Sequence, residues 1–366
     1  MIAVSDAFST SYAKARVKFL EAAVIAEMQL ESHAHPLLGA ESEALAMDVA
    51  RAGAVDADKL LIVSSACHGI EGYCGSGVQV FALHDAEWQQ KARDAGVAVL
   101  YVHALNPHGF SYGRRVTHEN VDLNRNFIDF SQPLPGNPAY DEVQDLILPA
   151  QWPPTAEVQQ AIDQYIAERG LKAWQGAVGQ GQYQHPRGVF FGGQAPTWSN
   201  LTIRQVLRKH GARAKQIAWM DVHTGLGPNG YGERIFTGPN DAEMLARARR
   251  WWDGGGATPV TSIDDGSSSS PPLTGLLWNS VVQECPQAEF TGIAMEYGCL
   301  PVLQTSAAIR ADHWCDNHPE AAPGLRDQVR QEMRAAFYDE REVWKAQIIS
   351  QARQAMFQAV DGLSAV

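Results

Sequence analysis

The stretch LLIVSSACHGIE, residues 60–71, decides the fold that the sequence predicts. It begins with a short apolar run that is typical of a buried strand, and a second run, VAVLYVHA at 97–104, follows after a helical pattern. Strand, helix and strand in this order predict a βαβ unit with parallel strands. We therefore predict an α/β fold with a mixed, mostly parallel central sheet flanked by helices.

Further apolar runs predict the rest of the sheet. IAWMDV at 217–222 and IAM at 293–295 are placed in it, and GVFF at 188–191 predicts another short strand. From Pro319 onward, apolar residues at three- and four-residue spacings predict one amphipathic C-terminal helix over about 319–361. The serine-rich segment 264–272 predicts a mobile loop that is too short to separate two domains.

Composition and charge limit the classes of partner. The 366-residue chain carries 29 basic and 41 acidic residues, a net charge of −12, and we find no basic cluster suited to nucleic-acid phosphates. Its five cysteines form no CxxC pair, and no apolar run is long enough to span a membrane. The first 26 residues carry charges where a signal peptide needs an apolar stretch. We expect a cytoplasmic protein that binds neither nucleic acid nor membrane; its oligomeric state is left open.

Polar residues directly follow several of the predicted strands. His68 and Glu71 come after the strand at 60–64, and His223 and Glu296 each follow a later strand. Because ligands of open α/β sheets bind outside the carboxyl ends of the strands, these side chains should meet in one crevice. A His and a Glu close in sequence, joined by a distant His, form a ligand set of catalytic zinc and leave a fourth position open.

We therefore predict one Zn²⁺ ion held by His68, Glu71 and His223. Asp221 lies two residues before His223 on the same strand and could orient the ligand histidine.

Five motifs, in order along the chain, resemble those of the zinc carboxypeptidases. They are HGIE at 68–71, NPHG at 106–109, ENVDLNRNF at 119–127, DVHTG at 221–225 and EYG at 296–298. The set is similar to the M14 superfamily, and more closely to its DUF2817 group, which is related to succinylglutamate desuccinylase and aspartoacylase. The resemblance implies a single M14-like domain over residues 1–366, with its catalytic core at about 60–300.

The resemblance also implies roles for individual residues. Glu296 would be the general base that takes a proton from a zinc-activated water and later delivers it to the leaving amine. Arg125, with Asn124 beside it, would bind a substrate carboxylate through its planar guanidinium. A second arginine would stabilise the oxyanion: Arg115 or Arg114 could do so, and we favour Arg115.

A mobile tyrosine near the substrate is usual in the superfamily's peptidases. Tyr231, in the glycine-rich segment after His223, and Tyr297 are the two candidates, and ordinary half-buried tyrosines are an equally good interpretation. No residue stands out as the determinant of side-chain specificity.

The implied function is a zinc-dependent hydrolase that cleaves an amide bond next to a free carboxylate. Its substrate would be a small peptide, as for carboxypeptidases, or an N-acyl amino acid, as for amidohydrolases of the aspartoacylase and desuccinylase kind. The alternative from another class is a non-catalytic zinc- or ligand-binding protein with the same fold.

Overall fold

A computed structural model of the chain describes residues 2–365, in which helices cover both faces of an eight-stranded sheet. The strands are β1 (Gln29–Leu38), β2 (Ala44–Ala52), β3 (Lys59–Ser65), β4 (Ala98–His103), β5 (Gln216–Asn229), β6 (Gly232–Phe236), β7 (Val260–Ser262) and β8 (Glu289–Gly298). The helices are α1 (Val4–Ala7), α2 (Tyr12–Ile25), α3 (Gly72–Leu83), α4 (Ala86–Asp94), α5 (Pro107–Tyr112), α6 (Pro138–Ile147), α7 (Ala156–Arg169), α8 (Leu171–Gly179), α9 (Trp198–Gly211), α10 (Ala242–Trp252), α11 (Asn279–Glu284), α12 (Val302–Asn317), α13 (Pro323–Phe337) and α14 (Glu342–Ser364). Short 3₁₀ turns lie at Gly69–Glu71, Leu123–Arg125 and Gly254–Gly256.

The strand order in the sheet is β1-β2-β4-β3-β5-β8-β6-β7. The four central strands β4, β3, β5 and β8 run parallel, and β7 is parallel to β6. Three pairs are antiparallel: β1 with β2, β2 with β4, and β6 with β8. The prediction of a mixed, mostly parallel sheet flanked by helices is confirmed. Because the central strands are parallel, their carboxyl ends meet at one edge of the sheet.

The run at 60–63 is apolar throughout because β3 is covered on both faces. Leu61 and Val63 pack into the core on the side of α2, α3 and α14, whereas Leu60 and Ile62 pack on the side of α9 and α11. All four side chains are buried. A central parallel strand therefore shows no polar alternation, as expected for a sheet with helices on both sides.

The structure corrects two of the predicted elements. Residues 188–191 form no sheet strand, since their one ladder contact is a bridge between Gln182 and Phe191. The predicted C-terminal helix is two helices, α13 and α14, because the chain becomes extended at Tyr338. The buried ring of Tyr338 packs on Trp344 and fixes this break.

Three strands, β2, β6 and β7, were not predicted, and the strand that the sequence predicts at 25–30 begins four residues later, as β1. β2 has the sequence ALAMDVARA and buries Asp48 and Arg51 within an apolar segment. Asp48 is compensated by Arg16, whose Nε lies 2.7 Å from its carboxylate.

None of the helices formed by residues 2–365 combines the length and the apolar character needed to cross a lipid bilayer.

Candidate metal centre and active site

The three predicted metal ligands meet at the carboxyl ends of two adjacent central strands. His68 and Glu71 follow β3, and His223 lies in β5. Nδ1 of His68 lies 2.8 Å from Oε1 of Glu71 and 3.3 Å from Nδ1 of His223. The latter nitrogen lies 3.0 Å from Oε2 of Glu71. All three side chains are buried, so their donor atoms converge in a space shielded from solvent.

This arrangement fits a zinc ion. With Zn–N distances of about 2.0–2.1 Å, tetrahedral geometry separates two ligand atoms by about 3.3–3.4 Å. The 3.3 Å between the two Nδ1 atoms equals that separation, and both carboxylate contacts are slightly shorter. Two imidazoles and one carboxylate are a donor set of catalytic zinc, and they leave a coordination position for water or substrate.

A close backbone contact holds the HGIE turn in place. A Cβ atom on Gly69 would lie 2.1 Å from the carbonyl carbon of Gly109, so only glycine permits this approach. Asn106 caps α5 by accepting a hydrogen bond of 2.9 Å from the amide of Gly109. The amide of Gly69 donates to the carbonyl of Arg115 at 3.0 Å. The NPHG motif thus has a positioning role: it sets the turn and brings Arg115 alongside.

Each candidate ligand histidine has a carboxylate at its other ring nitrogen. Oδ1 of Asp122 lies 3.2 Å from Nε2 of His68. Oδ2 of Asp221 lies 2.7 Å from Nε2 of His223, in an ion-pair contact without regular hydrogen-bond alignment. Such carboxylates fix the ring so that its other nitrogen faces the metal. Asp221 was predicted for this task. Asp122 was not, although its position in ENVDLNRNF, next to the matched Asn-Arg pair, was the available signal.

The surroundings shift the pKa values of the two glutamates of the site in opposite directions. Burial acts to raise the pKa of Glu71, but the adjacent His68 and His223 lower it to about 2. Burial, reinforced by the charge of Glu71, raises the pKa of Glu296 to about 8. Glu71 is therefore suited to bind a cation as a carboxylate, while Glu296 can take up and release a proton near neutral pH.

The neighbouring arginines Arg114 and Arg115 have different surroundings. Arg115 lines the same cleft as His68 and His223. Its Nε donates to Asp122 at 2.9 Å, its Nη1 donates to Glu71 at 3.1 Å, and its Nη2 lies 2.7 Å from Nε2 of His68. Arg114 is directed to α12, where it contacts Asp312 at 2.9 Å and Asp316 at 2.8 Å. Arg114 is not among the residues that line the cleft.

Asn124 and Arg125 also line the cleft. The buried guanidinium of Arg125 donates from Nε and Nη2 to the carbonyl of Gly179, at 3.1 and 2.6 Å, and from Nη1 to the carbonyl of Asn124 at 2.8 Å. The side chain of Asn124 accepts a hydrogen bond of 2.9 Å from the amide of Leu277. Asn124 therefore supports the wall of the cleft, and Arg125 presents its remaining N–H groups there.

Comparison with known families decides the assignment. The model of the family described as "Protein of unknown function (DUF2817)" matches residues 8–351. The chain belongs to this family. No protein of curated function gave a sequence match.

Solved structures show which fold this DUF2817 protein has. The bovine thrombin-activatable fibrinolysis inhibitor, in complex with a tick carboxypeptidase inhibitor, is 11% identical, with 97% of each chain covered and a TM-score of 0.51. Carboxypeptidase A of Helicoverpa armigera is 14% identical over 89% of this chain and 74% of its own, with a TM-score of 0.41. A Pseudomonas aeruginosa metallo-carboxypeptidase, solved with (2-guanidinoethylmercapto)succinic acid, is 16% identical over 88% and 66%, with a TM-score of 0.42. The likeness to the bovine protein, which spans nearly all of both chains, establishes the carboxypeptidase-like fold.

The two candidate tyrosines lie outside the cleft of this DUF2817 protein. Tyr231 is 42% exposed in the turn between β5 and β6 and does not line the cleft. Tyr297 is fully buried, and its hydroxyl lies 3.4 Å from the carbonyl of Ile348. The structure therefore places neither of them beside the candidate ligands.

The cleft has an empty volume of about 1050 Å³ when its open mouth is included. Among the lining residues, Glu296, His68 and His223 belong to the centre described above, and the rest of the wall is largely apolar. One part of that wall comes from α8, and another comes from the segment between β7 and α11, through Ser270, Pro271 and Leu273. Sequence reasoning did not assign this segment to the site, because its serines and prolines carry no recognisable ligand chemistry.

Proposed function

We propose that this protein is a zinc-dependent hydrolase that cleaves an amide bond adjacent to a free carboxylate, in the manner of a carboxypeptidase. One observation carries the proposal: His68 Nδ1, Glu71 and His223 Nδ1 converge within 3.3 Å, and Glu296 lines the same cleft as the two histidines. His68, Glu71 and His223 would hold the ion. When bound, zinc would supply Lewis-acid polarisation of the scissile carbonyl and activation of water.

The side chains of the cleft would do the remaining work. Glu296 would accept the proton of the attacking water and pass it to the leaving nitrogen. Arg125 would orient the substrate by donating to its carboxylate from the N–H groups that are not bonded to Gly179 and Asn124. Arg115 would donate hydrogen bonds from its remaining N–H groups to the carbonyl oxygen, and so stabilise the negative charge that develops there.

Metal analysis combined with turnover tests this function. Protein purified without chelators should contain about one zinc per chain and hydrolyse a short N-acylated peptide. Chelation should abolish this hydrolysis, and added zinc should restore it. Glu71→Gln should lose zinc. Glu289→Gln, at the exposed start of β8, should keep both zinc and rate. Wild-type protein without zinc affinity would refute the proposal.

A further inference from the structure

We propose that the cleft accepts a substrate with a single carboxylate and an uncharged, largely apolar group beside it, an inference that rests on the proposed function. Two features of the cleft support this inference: the partners that its arginines already have, and the composition of its walls. Together they separate substrates that end in an apolar amino acid from N-acyl amino acids that carry two or three carboxylates.

The arginines offer one carboxylate site. Arg115 is already paired with the carboxylates of Asp122 and Glu71, so its charge is compensated within the protein. Arg125 donates to backbone carbonyls alone, and the nearest carboxylate oxygen among its ion-pair contacts, on Asp122, is 4.0 Å away. Of the five N–H groups of a guanidinium, these bonds leave about two, which is what one carboxylate takes in a bidentate pair.

The walls offer no second charge. Among the described residues that line the cleft, the charged or titratable side chains are His68, Arg115, Arg125, His223 and Glu296. The wall beyond them is built largely of apolar side chains, which include Trp174, Val178, Ile235, Leu273, Leu276 and Trp278. A lysine side chain or a second carboxylate would lose its hydration there without gaining a partner, whereas an aromatic or aliphatic group would gain by burial.

A matched set of N-acylated dipeptides tests the proposal, with phenylalanine, leucine, lysine or aspartate as the C-terminal residue. We expect kcat/KM for phenylalanine or leucine to exceed that for lysine or aspartate by about 100-fold or more, because an unpaired charge is costly to bury. A preference for aspartate or lysine would overturn the inference while leaving the proposed hydrolase in place.

Ligand binding gives a readout that does not depend on turnover. Calorimetry would measure the affinity for three ligands that share one carboxylate. 3-Phenylpropanoate adds an apolar group, succinate a second carboxylate and 6-aminohexanoate an ammonium group. We expect 3-phenylpropanoate to bind at least about tenfold more tightly than the other two. If this order holds while no amide is cleaved, the proposed function fails and the ligand class stands. Equal or tighter binding of succinate would overturn the ligand class.

A positive charge placed on the cleft wall should reduce the preference for phenylalanine over aspartate substrates. Leu273 is partly exposed on the cleft wall, so Leu273→Arg can be accommodated and supplies a second cation. We expect the ratio of kcat/KM between phenylalanine and aspartate substrates to fall at least about tenfold. Leu201→Arg, at an exposed position of α9 outside the cleft, should leave the ratio unchanged. An unchanged ratio in an active Leu273→Arg protein would overturn the assignment of this wall.

Discussion

The amide of Leu226 donates a hydrogen bond of 3.0 Å to Oε1 of Glu296, which ties the chain just beyond His223 to the carboxylate assigned as general base. The two strands concerned, β5 and β8, also pair His223 directly with Glu296 in register. The base is therefore held by backbone geometry on both sides. A glutamine at position 296 could accept the same bond through its amide oxygen, so the geometry can be kept while proton uptake is removed.

We expect Glu296→Gln to lower kcat by about 10²- to 10⁴-fold, the contribution typical of a positioned general base. Zinc content and the melting temperature should stay near those of the wild type, because the contact with Leu226 is retained. Steady-state kinetics with metal analysis checks both. Glu289→Gln on the same strand serves as the control, and a Glu296→Gln protein with full activity would assign the proton transfer to another group.

Asp221→Asn should weaken zinc binding by about 10- to 100-fold, as loss of a carboxylate behind a ligand histidine usually does. The carboxylate lies 2.7 Å from Nε2 of His223 and accepts a 2.5 Å hydrogen bond from the hydroxyl of Ser64. Competition with a chelator of known affinity measures the change. Ser64→Ala removes this outer bond, together with the one that Ser64 accepts from the indole of Trp219, and should have a smaller effect on zinc affinity. Equal affinity in Asp221→Asn and wild type would contradict the orienting role.

Arg114 and Arg115 should give opposite phenotypes. Arg115→Lys keeps the charge but loses the planar fork that reaches Asp122, Glu71 and His68, so we expect kcat to fall about tenfold or more. Arg114→Ala leaves buried Asp312 without its partner, which should cost about 1–3 kcal/mol of unfolding free energy at nearly unchanged kcat.

Denaturant titration and kinetics on both proteins separate these effects. If Arg114→Ala lost turnover while Arg115→Lys kept it, the assignment of the two residues would be reversed.

The metal centre was the part of the site most accessible to sequence reasoning, and the reason is topological. In a sheet with parallel central strands, a polar residue directly after an apolar run must lie at the same edge as its counterparts, so His68, Glu71 and His223 could be placed together without coordinates. The central parallel strands were predicted because both of their faces are covered, so each contains a short apolar run.

The remaining contacts depend on packing that no local pattern encodes. Arg114 and Arg115 are adjacent, and what separates their roles is the position of Asp312, about 200 residues later on α12. β2 was missed because its buried Asp48 is paired with an arginine on another element. The break at Tyr338 follows from a buried aromatic contact. In each case a long-range partner decides the local structure.

His103 should make stability fall in mild acid. It is buried with its ring stacked on Phe19 at 4.5 Å, and burial lowers its pKa to about 4 from an ordinary value near 6.5. Between those pH values the unfolded chain binds a proton that the folded chain excludes. The stabilisation is therefore present above pH 6.5 and is lost as the pH falls toward 4, by roughly 3 kcal/mol in all.

His103→Gln cannot titrate but can still bond to Ser76, the present partner of Nε2 at 2.9 Å. The difference in unfolding free energy between wild type and His103→Gln should therefore shrink, or turn in favour of the variant, as the pH falls from 7 to 4. His84→Gln, at the end of α3, is the control. Parallel pH profiles for wild type and His103→Gln would show that His103 does not account for the acid sensitivity.

Glu233, a buried residue of β6, holds the serine-rich wall of the cleft. Its carboxylate accepts from the hydroxyl of Thr261 at 2.6 Å, from the amide of Ser269 at 3.0 Å and from the hydroxyl of Ser269. Ser270 and Pro271, the next residues, line the cleft. Glu233→Ala removes an acceptor for three donors, so the wall should lose its fixed position.

Because the wall contacts substrate rather than the reacting atoms, we expect Glu233→Ala to raise KM about threefold to tenfold with kcat changed less than about twofold. Asp265→Asn, in the same segment but exposed and paired with Arg249, should change neither constant appreciably. Steady-state kinetics with an apolar dipeptide substrate decides the matter. A loss of kcat at constant KM would place the effect of Glu233 on the metal centre and contradict its role in holding the wall.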